Sequence, residues 1–525
     1  MPPTITNSAF AVSNPNTLET LYEIQETTSS SIEKVFAAAK KIQEQIANLS
    51  IEQRIQEILK LNDYVIANQE KIIDRIVAET GKSRFDALVS EVFEVCDVID
   101  HFKKVAPKIL ADKSIHTPIV LMGKKSKVTY QPLGTILVVT PWNYPFFQGM
   151  TPSILAFLAG NAVIIKPSEF TPLKGLWEEM LTQSGFMKDA FQFVYGGKET
   201  GKLLINARPD KIHFTGSVAT GKKIMEQASR QLIPVELELG GKDPAIVFED
   251  VNLERTVNGV MWAAFTNSGQ SCTSIERTYV HENIYEKFVS MVVEKSKKLR
   301  LPNSQTDYKK PDGYDLGGIT SAAQLSTIEK HVQDAVQKGA KVLLGGKREN
   351  NSRQFPPTIL TDVNHSMLIM TEETFGPVLP IMKFKTEEEA IKLANDSVYG
   401  LSASVWSKDV KRAERVAKKL VTGNVSINSH MLTEGNPALP FGGIKDSGIG
   451  RSKGEWGLLG FTNTKSIIID QQSSRIEAHW YPFTQTKYEL LSKLMVALFS
   501  KSKNMLKFAM LGLKMDSLGT KEKIS

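Results

Sequence analysis

Chemistry is concentrated first in one short stretch, Asn267-Ser268-Gly269-Gln270-Ser271-Cys272. It is polar and rich in Gly and Ser, and it carries one of only two cysteines in 525 residues. Apolar segments flank it, Val260 to Phe265 before and Tyr279 and Val280 after. A cysteine on a small-residue turn exposes its sulfur and sets backbone N–H groups beside it. A thiolate nucleophile that stabilises an oxyanion needs both features. The competing reading is a buried free cysteine packed as a small hydrophobe.

Other groups of the right types recur along the chain. Glu238-Leu239-Gly240-Gly241-Lys242 puts a carboxylate at a strand end beside two glycines, where it can act as general base toward water or simply be an exposed Glu. Asn143, between Trp142 and Tyr144-Pro145, offers a side-chain amide to an oxyanion or serves as a turn residue. Lys166-Pro167-Ser168-Glu169 ends an apolar strand, with a lysine and a carboxylate able to hold ribose hydroxyls or to be solvated. Gly216-Ser217-Val218-Ala219-Thr220-Gly221 follows a strand and opens a helix, a phosphate site or an ordinary strand-to-helix turn. Glu373-Thr374-Phe375-Gly376-Pro377 and Pro440-Phe441-Gly442-Gly443 are rigid loops with aromatics. The histidines are scattered, so no metal site is expected.

The elements that position these groups follow from patterning. Ser31 to Leu110 reads as several helices, with Ser30 and Glu33 at capping-box spacing. Ile119 to Gln131 reads as a β-hairpin turning at Gly123-Lys124-Lys125. From Gly134 strands alternate with helices: Thr135 to Val139, Ala162 to Ile165, Gln192 to Val194, Lys211 to Phe214 and Val235 to Glu238 are strands. That alternation means a parallel sheet covered by helices, with ligands at the carboxyl ends of its strands. A second α/β region runs from about Asp243 to Arg451, and Thr464 to Ile469 is a late strand.

Composition excludes several classes. At 41% hydrophobic and 23% charged the chain is an ordinary globular protein. Two cysteines exclude a disulfide framework and imply a reducing compartment. No apolar run is long enough to span a bilayer, and the start does not read as a signal peptide. The net charge of +7 is concentrated in the tail, where Gln485 to Ser525 holds eight Lys against three acids. The body is therefore near neutral and no nucleic-acid partner is expected.

Taken in order, these seven motifs resemble the NAD(P)-dependent aldehyde dehydrogenase superfamily, over roughly Gln131 to Ile468. The resemblance implies an α/β fold with a Rossmann-type cofactor domain, an α/β catalytic domain and a small bridging β-element. The implied division is an N-terminal helical part at 1–118, a bridging hairpin at 119–132, the cofactor domain at 133–240, the catalytic domain at 241–451 and a bridging strand at 460–472. An amphipathic tail covers 485–516. The resemblance also implies Cys272 as nucleophile, Glu238 as general base and Asn143 as oxyanion donor. It assigns Lys166 and Glu169 to ribose, and Trp142, Gly216, Ser217 and Gly221 to the phosphate and adenosine side. Glu373 and Phe375 are assigned to the nicotinamide ribose; Lys242 and Asn428 match family positions with less definite roles. The expected cofactor is NAD, with NADP also admitted, and the expected assembly a homodimer or homotetramer.

The expected reaction turns an aldehyde into an acid through a thiohemiacetal and an acyl-thioester. Tyr144, Phe146, Phe147, Trp262 and Phe265 point to an apolar tunnel, hence a medium- or long-chain aldehyde. A CoA-acylating enzyme, a thiol esterase and an inactive scaffold are the other readings: Glu238 argues against the first, a requirement for nicotinamide separates the second, and retention of Cys272, Glu238 and Asn143 together argues against the third. Many members of the family stop soon after the bridging strand, whereas this chain continues past Asp470. Its tail bears some likeness to the membrane-associated fatty-aldehyde members. Leu491, Leu494, Met495 and Leu498, ringed by Lys487, Lys493, Lys501 and Lys503, read as an interfacial membrane contact. Localisation is expected to be cytoplasmic, with the tail on the cytoplasmic face of a membrane.

Overall fold

The computed structural model describes residues 9–348, 352–471 and 476–522. The chain forms two compact units, Met1–Ala111 with Tyr130–Thr464, and Asp112–Thr129 with Lys465–Ser525.

The first unit contains two large sheets. One has six strands in the order Gly448–Ile449, Val235–Glu238, Lys211–Thr215, Thr135–Val139, Ala162–Lys166 and Phe191–Phe193. All neighbours run parallel except the short Gly448–Ile449 edge. Continuous apolar runs such as Val163-Ile164-Ile165 are what a strand covered by helices on both faces requires, and they are fully buried. Pairing of Thr135–Val139 with Ala162–Lys166 and of Thr215 with Glu238 brings Val139, Lys166, Thr215 and Glu238 to one edge. The second sheet has seven strands, ordered Lys341–Leu344, Thr358–Thr361, Val378–Phe384, Ile275–His281, Asp243–Val247, Ser404–Trp406 and Ser426–Ile427. Leu239 to Lys242 is the link from the first sheet to the second.

The helical region before the first sheet is built as expected, with one correction. Thr28, not Ser30, caps the helix Ser29–Asn48, because Thr28 is extended and its hydroxyl accepts from Ser31 N. The capping box is found one helix later, where Ser50 and Gln53 satisfy each other's backbone N–H groups. A hairpin of Ala9–Ser13 with Thr20–Gln25 precedes these helices. The Ser-, Asn- and Pro-rich composition around it concealed it.

The second unit corrects the expected Ile119–Gln131 hairpin. Pro118 starts a 3-10 turn at Ile119–Leu121, closed by Leu121 N donating to Pro118 O at 2.8 Å. The antiparallel partner of Lys124–Pro132 is instead Lys113–Ile115, and Thr462–Asp470 lies on its other side. The helices Gln485–Phe499 and Met505–Lys521 pack on each other around Leu494 and Met515, with Leu490, Phe508, Leu511 and Leu518 alongside. Among the described residues no helix is long and apolar enough to cross a membrane. Two expectations for the tail change. Leu494 is buried between the helices, and Lys487 is buried too, its ammonium donating to Trp480 O, Pro482 O and Glu522 O.

Candidate active site

Cys272 follows a turn of three consecutive left-handed residues, Asn267 (φ 49°), Ser268 (φ 56°) and Gly269 (φ 70°). Such a run is strained for Ser and persists only where neighbours fix it. Asp86 accepts from Thr266 Oγ1 at 2.8 Å and from Asn267 N at 3.0 Å. Ser268 Oγ donates to Gly317 O, and Thr320 N donates to Gln270 Oε1. At Gly269 any Cβ would lie 2.2 Å from Gly376 O, so only glycine lets the two loops meet.

Asn143 sits beside this turn, its Nδ2 donating to Gln270 O at 3.0 Å. Its own carbonyl accepts from Lys82 Nζ at 2.7 Å. Lys82 is fully buried against Glu91, which also accepts from Phe146 N. Neither Lys82 nor Glu91 was singled out from sequence; a lysine within a helical region reads as solvated until its partners are known.

Glu238 ends its strand with its carboxyl buried. Among the described residues neither of its oxygens has a hydrogen-bond partner. Burial, then the negative charge of Glu236, pushes its pKa well above the carboxylate range, against the pull of Arg451. The Cys272 thiol is pushed well above its ordinary range by burial, then by the charges of Glu434, Asp243, Glu373 and Glu238. Glu434 and Lys453 share a cavity wall with both groups. Glu434 accepts from Thr273 Oγ1 at 2.8 Å, and Lys453 donates to the Glu434 carbonyl. Sequence reading missed this pair. Its one local signal is Lys453 itself, held at φ 60°, ψ 179°, a region almost confined to glycine.

On the far side of Glu238 and Cys272 opens a cleft of ≈ 990 Å³, lined by Trp142, Lys166, Glu169, Gly216, Ser217, Glu373 and Phe375 among others. Lys166 is buried with one hydrogen bond, to Pro167 O, and lies 3.8 Å from Glu169, so its ammonium has donors to spare. Ser217 caps the helix Val218–Ser229 at the cleft wall. Phe375, itself left-handed at φ 50°, meets Trp142 edge-on at 5.2 Å. Glu276 fixes that loop by accepting from Thr374 N and Phe375 N, and Lys242 donates to Glu276 at 2.5 Å. Glu373 turns back to accept from Gly241 N at 3.0 Å, and burial raises its pKa to about 8. These donors, a helix N-terminus and paired aromatics suit a dinucleotide.

Not every expected residue reaches the cleft. Gly221 is buried against Leu239, where a Cβ would come within 2.6 Å of Leu239 Cδ2, and it does not line the cleft. Asn428 brackets Ser407 through both ends of its amide, which is a structural role. Phe146 stacks on Trp177 inside the core, and Phe265 is likewise core, whereas Phe147 faces the cavity at Cys272.

The profile of the aldehyde dehydrogenase family matches residues 4–467. The chain belongs to the aldehyde dehydrogenase family. This aldehyde dehydrogenase is 40% identical over 443 residues to a 4,4′-diapolycopene aldehyde oxidase of Methylomonas sp, covering 84% of this chain and 82% of that one. It is 35% identical over 462 residues to the mitochondrial succinate-semialdehyde dehydrogenase of Oryza sativa subsp. japonica, at 87% and 86% coverage. Among solved structures, the putative aldehyde dehydrogenase PutA of Anabaena variabilis superposes with a TM-score of 0.85 at 36% identity, over 90% of this chain and 100% of that one. Betaine aldehyde dehydrogenase of Staphylococcus aureus in complex with NAD+ gives 0.83 at 30% identity, over 90% and 94%. The aldehyde dehydrogenase described here is NAD(P)-dependent, and its α/β architecture is that of the family.

Proposed function

We propose that this enzyme oxidises an extended hydrophobic aldehyde to its acid, with Cys272 as nucleophile, Asn143 as oxyanion donor and Glu238 as general base. The carrying observation is a row of exposed apolar residues next to the loop that meets Thr273, which we read as the approach to Cys272. Phe85, Val89 and Phe93 recur at helical spacing and stay exposed, Phe93 at 64%. Glu94, next to Phe93, lies against the 431–435 loop, where a Cβ on Gly435 would be 3.2 Å from Glu94 Oε1. That loop carries exposed Leu432 and then Glu434, which touches Thr273 beside the nucleophile. Phe147 and Phe441 add apolar surface at Cys272 itself.

The geometry disfavours a short dicarboxylic semialdehyde. The one carboxylate of such a substrate needs a free cation near the thiol, and Arg451, beside Glu238, donates to Gly443 O and Gly450 O. Lys453 is committed to the Glu434 carbonyl and sits over the Phe147 and Phe441 rings, at 5.5 and 5.2 Å.

In this reading the Cys272 thiolate adds to the aldehyde carbon and gives a thiohemiacetal. Asn143 Nδ2 leaves Gln270 O for the oxyanion, a donor of a kind typically contributing about 3 kcal/mol. NAD(P), when bound, supplies the hydride acceptor. Lys166 and Glu169 hold ribose hydroxyls, Gly216 and Ser217 face the phosphates, and Trp142, Phe375 and Glu373 set the reactive end. Glu238 then takes a proton from water, and the acyl-thioester is hydrolysed to the acid.

The same reading includes the cofactor domain at 133–240, the catalytic domain at 241–451 and a homodimer or homotetramer. It also includes peripheral membrane contact through the tail. Tyr488, Leu491, Met495 and Phe499 form an exposed stripe facing away from the Leu490 and Leu494 packing face, and exposed Leu506, Met510 and Leu513 add to it.

The test is a series of aldehydes of rising chain length with NAD and with NADP, for the wild type and Phe93→Ser. The expected result is kcat/KM that rises with chain length and a Phe93→Ser loss confined to long chains. A preference for carboxylated semialdehydes would overturn the substrate reading.

A further inference from the structure

The cavity that Glu238 shares with Cys272, Glu434 and Lys453 is small, ≈ 20 Å³. That is room for about one water. Beside those groups its wall contains Thr151, Thr215 and His213, with apolar side chains that include Leu155 and Phe461. Among the described residues Thr151 Oγ1, Thr215 Oγ1 and both Glu238 oxygens are buried without a partner. Orphaned buried oxygens are rare, and several of them around one water-sized void indicate an internal water that satisfies them together.

The sheet explains the arrangement. Strands Lys211–Thr215 and Val235–Glu238 are parallel neighbours, with His213 opposite Glu236 and Thr215 opposite Glu238. Residues two apart on a strand share a face, so these four side chains form a rectangle, roughly 7 Å along each strand and about 5 Å between strands, with Glu238 and His213 on its diagonal. A water among them can bond to both. His213 Nδ1 lies 3.3 Å from Glu236 Oε1. Glu236 stays ionised because Lys211 Nζ donates to its other oxygen at 2.5 Å. Both His213 and Glu236 are almost wholly buried, at 2% and 3% exposure, and the chemistry at Cys272 does not otherwise use them.

We propose that this cavity holds a resident water joining Glu238 to His213, and that the His213–Glu236 pair receives the proton Glu238 acquires in each turnover. Glu238 removes a proton from the hydrolytic water as its oxygen bonds to the acyl carbon and the thiolate departs. The protonated carboxyl gives a proton to the cavity water, which passes one of its own to the imidazole. The imidazolium is neutralised by Glu236, and Glu238 is again a carboxylate. After product release the proton returns by the same path and leaves through the cofactor cleft, which Glu238 also lines. The other charged groups around Glu238 are Arg451, Glu434 and Lys453, and the two cations favour its ionised form. The inference rests on Glu238 being the general base.

The experiment compares wild type, His213→Gln, Glu236→Gln and Glu238→Gln with hexanal and NAD. It measures the NADH burst and the steady state at low and high imidazole buffer. The expected result for His213→Gln is an intact burst, kcat about tenfold lower in dilute buffer, and recovery as buffer base rises. Unchanged, buffer-independent turnover in His213→Gln would overturn the relay. Loss of the burst in both His213→Gln and Glu236→Gln would make the pair purely structural and overturn it as well. So would a crystal structure with a dry cavity. A Glu238→Gln variant whose burst and turnover fall together would instead remove Glu238 as the base, a separable outcome.

Discussion

Asn143 Nδ2 and Gln270 O are joined by a 3.0 Å hydrogen bond, tying the side chain proposed to receive the oxyanion to the peptide two residues before the nucleophile. The same carbonyl accepts from Asn267 Nδ2 at 3.0 Å, and Asn267 also donates to Asn143 O. The amide can therefore leave for an oxyanion without stranding Gln270, which keeps its second donor.

Asn143→Ala is accordingly expected to lower the acylation rate by about 10²–10³-fold while cofactor affinity is kept. Single-turnover NADH formation measures it. A loss below tenfold would remove Asn143 from the oxyanion site.

Cys272→Ser is expected to abolish dehydrogenase activity with cofactor binding intact. Glu238→Gln is expected to leave a burst of about one NADH per site followed by slow turnover. Stopped-flow absorbance separates the two. Normal turnover by the serine variant would end the assignment of the nucleophile.

The thiol is raised first by burial and then by the Glu434 carboxylate, so its reactive fraction grows as pH rises through and beyond the ordinary thiol range. Removing a negative charge favours the thiolate. Glu434→Gln should thus speed iodoacetamide alkylation at pH 8, and Lys453→Met, which removes a cation from the same wall, should slow it. Rate against pH in the free enzyme is the measurement, and shifts of the same sign in both variants would contradict the charge argument.

Gly241 approaches the nucleophile's own carbonyl, and a Cβ there would lie 2.6 Å from Cys272 O. Gly241→Ala must displace backbone, not a flexible side-chain tip. It is expected to cost more activity than Gly512→Ala, which meets nothing within 4 Å. Parallel activity and thermal-melting assays decide this.

A chain ending near Gln471 is expected to lose flotation with anionic liposomes that the full chain shows. Contacts of this kind gain roughly 1 kcal/mol per Lys near the surface, so binding should weaken with salt. Equal flotation of both forms at low salt would exclude the tail. An unchanged chain-length profile would separate membrane contact from substrate choice.

The local code of the fold was legible in residues. Thr135–Val139 lies where its apolar run put it, because a strand covered on both faces must be largely apolar, and Val235–Glu238 is a strand although Glu236 and Glu238 alternate with its apolar residues. Cys272 on a small-residue turn, Glu238 at a strand end and Asn143 after a strand were each ambiguous alone, and it was the order of their motifs that made them legible. What only the tertiary structure decided are properties of pairs. Lys82 is a site element because Glu91 and Asn143 O close over it, and Lys487 is an anchor because three carbonyls surround its ammonium. His213 faces Glu236, and Thr215 faces Glu238, only through the register of two strands separated in sequence by a helix. Burial and charge proximity depend on which distant segments meet, and those distances are set by packing rather than by any local pattern.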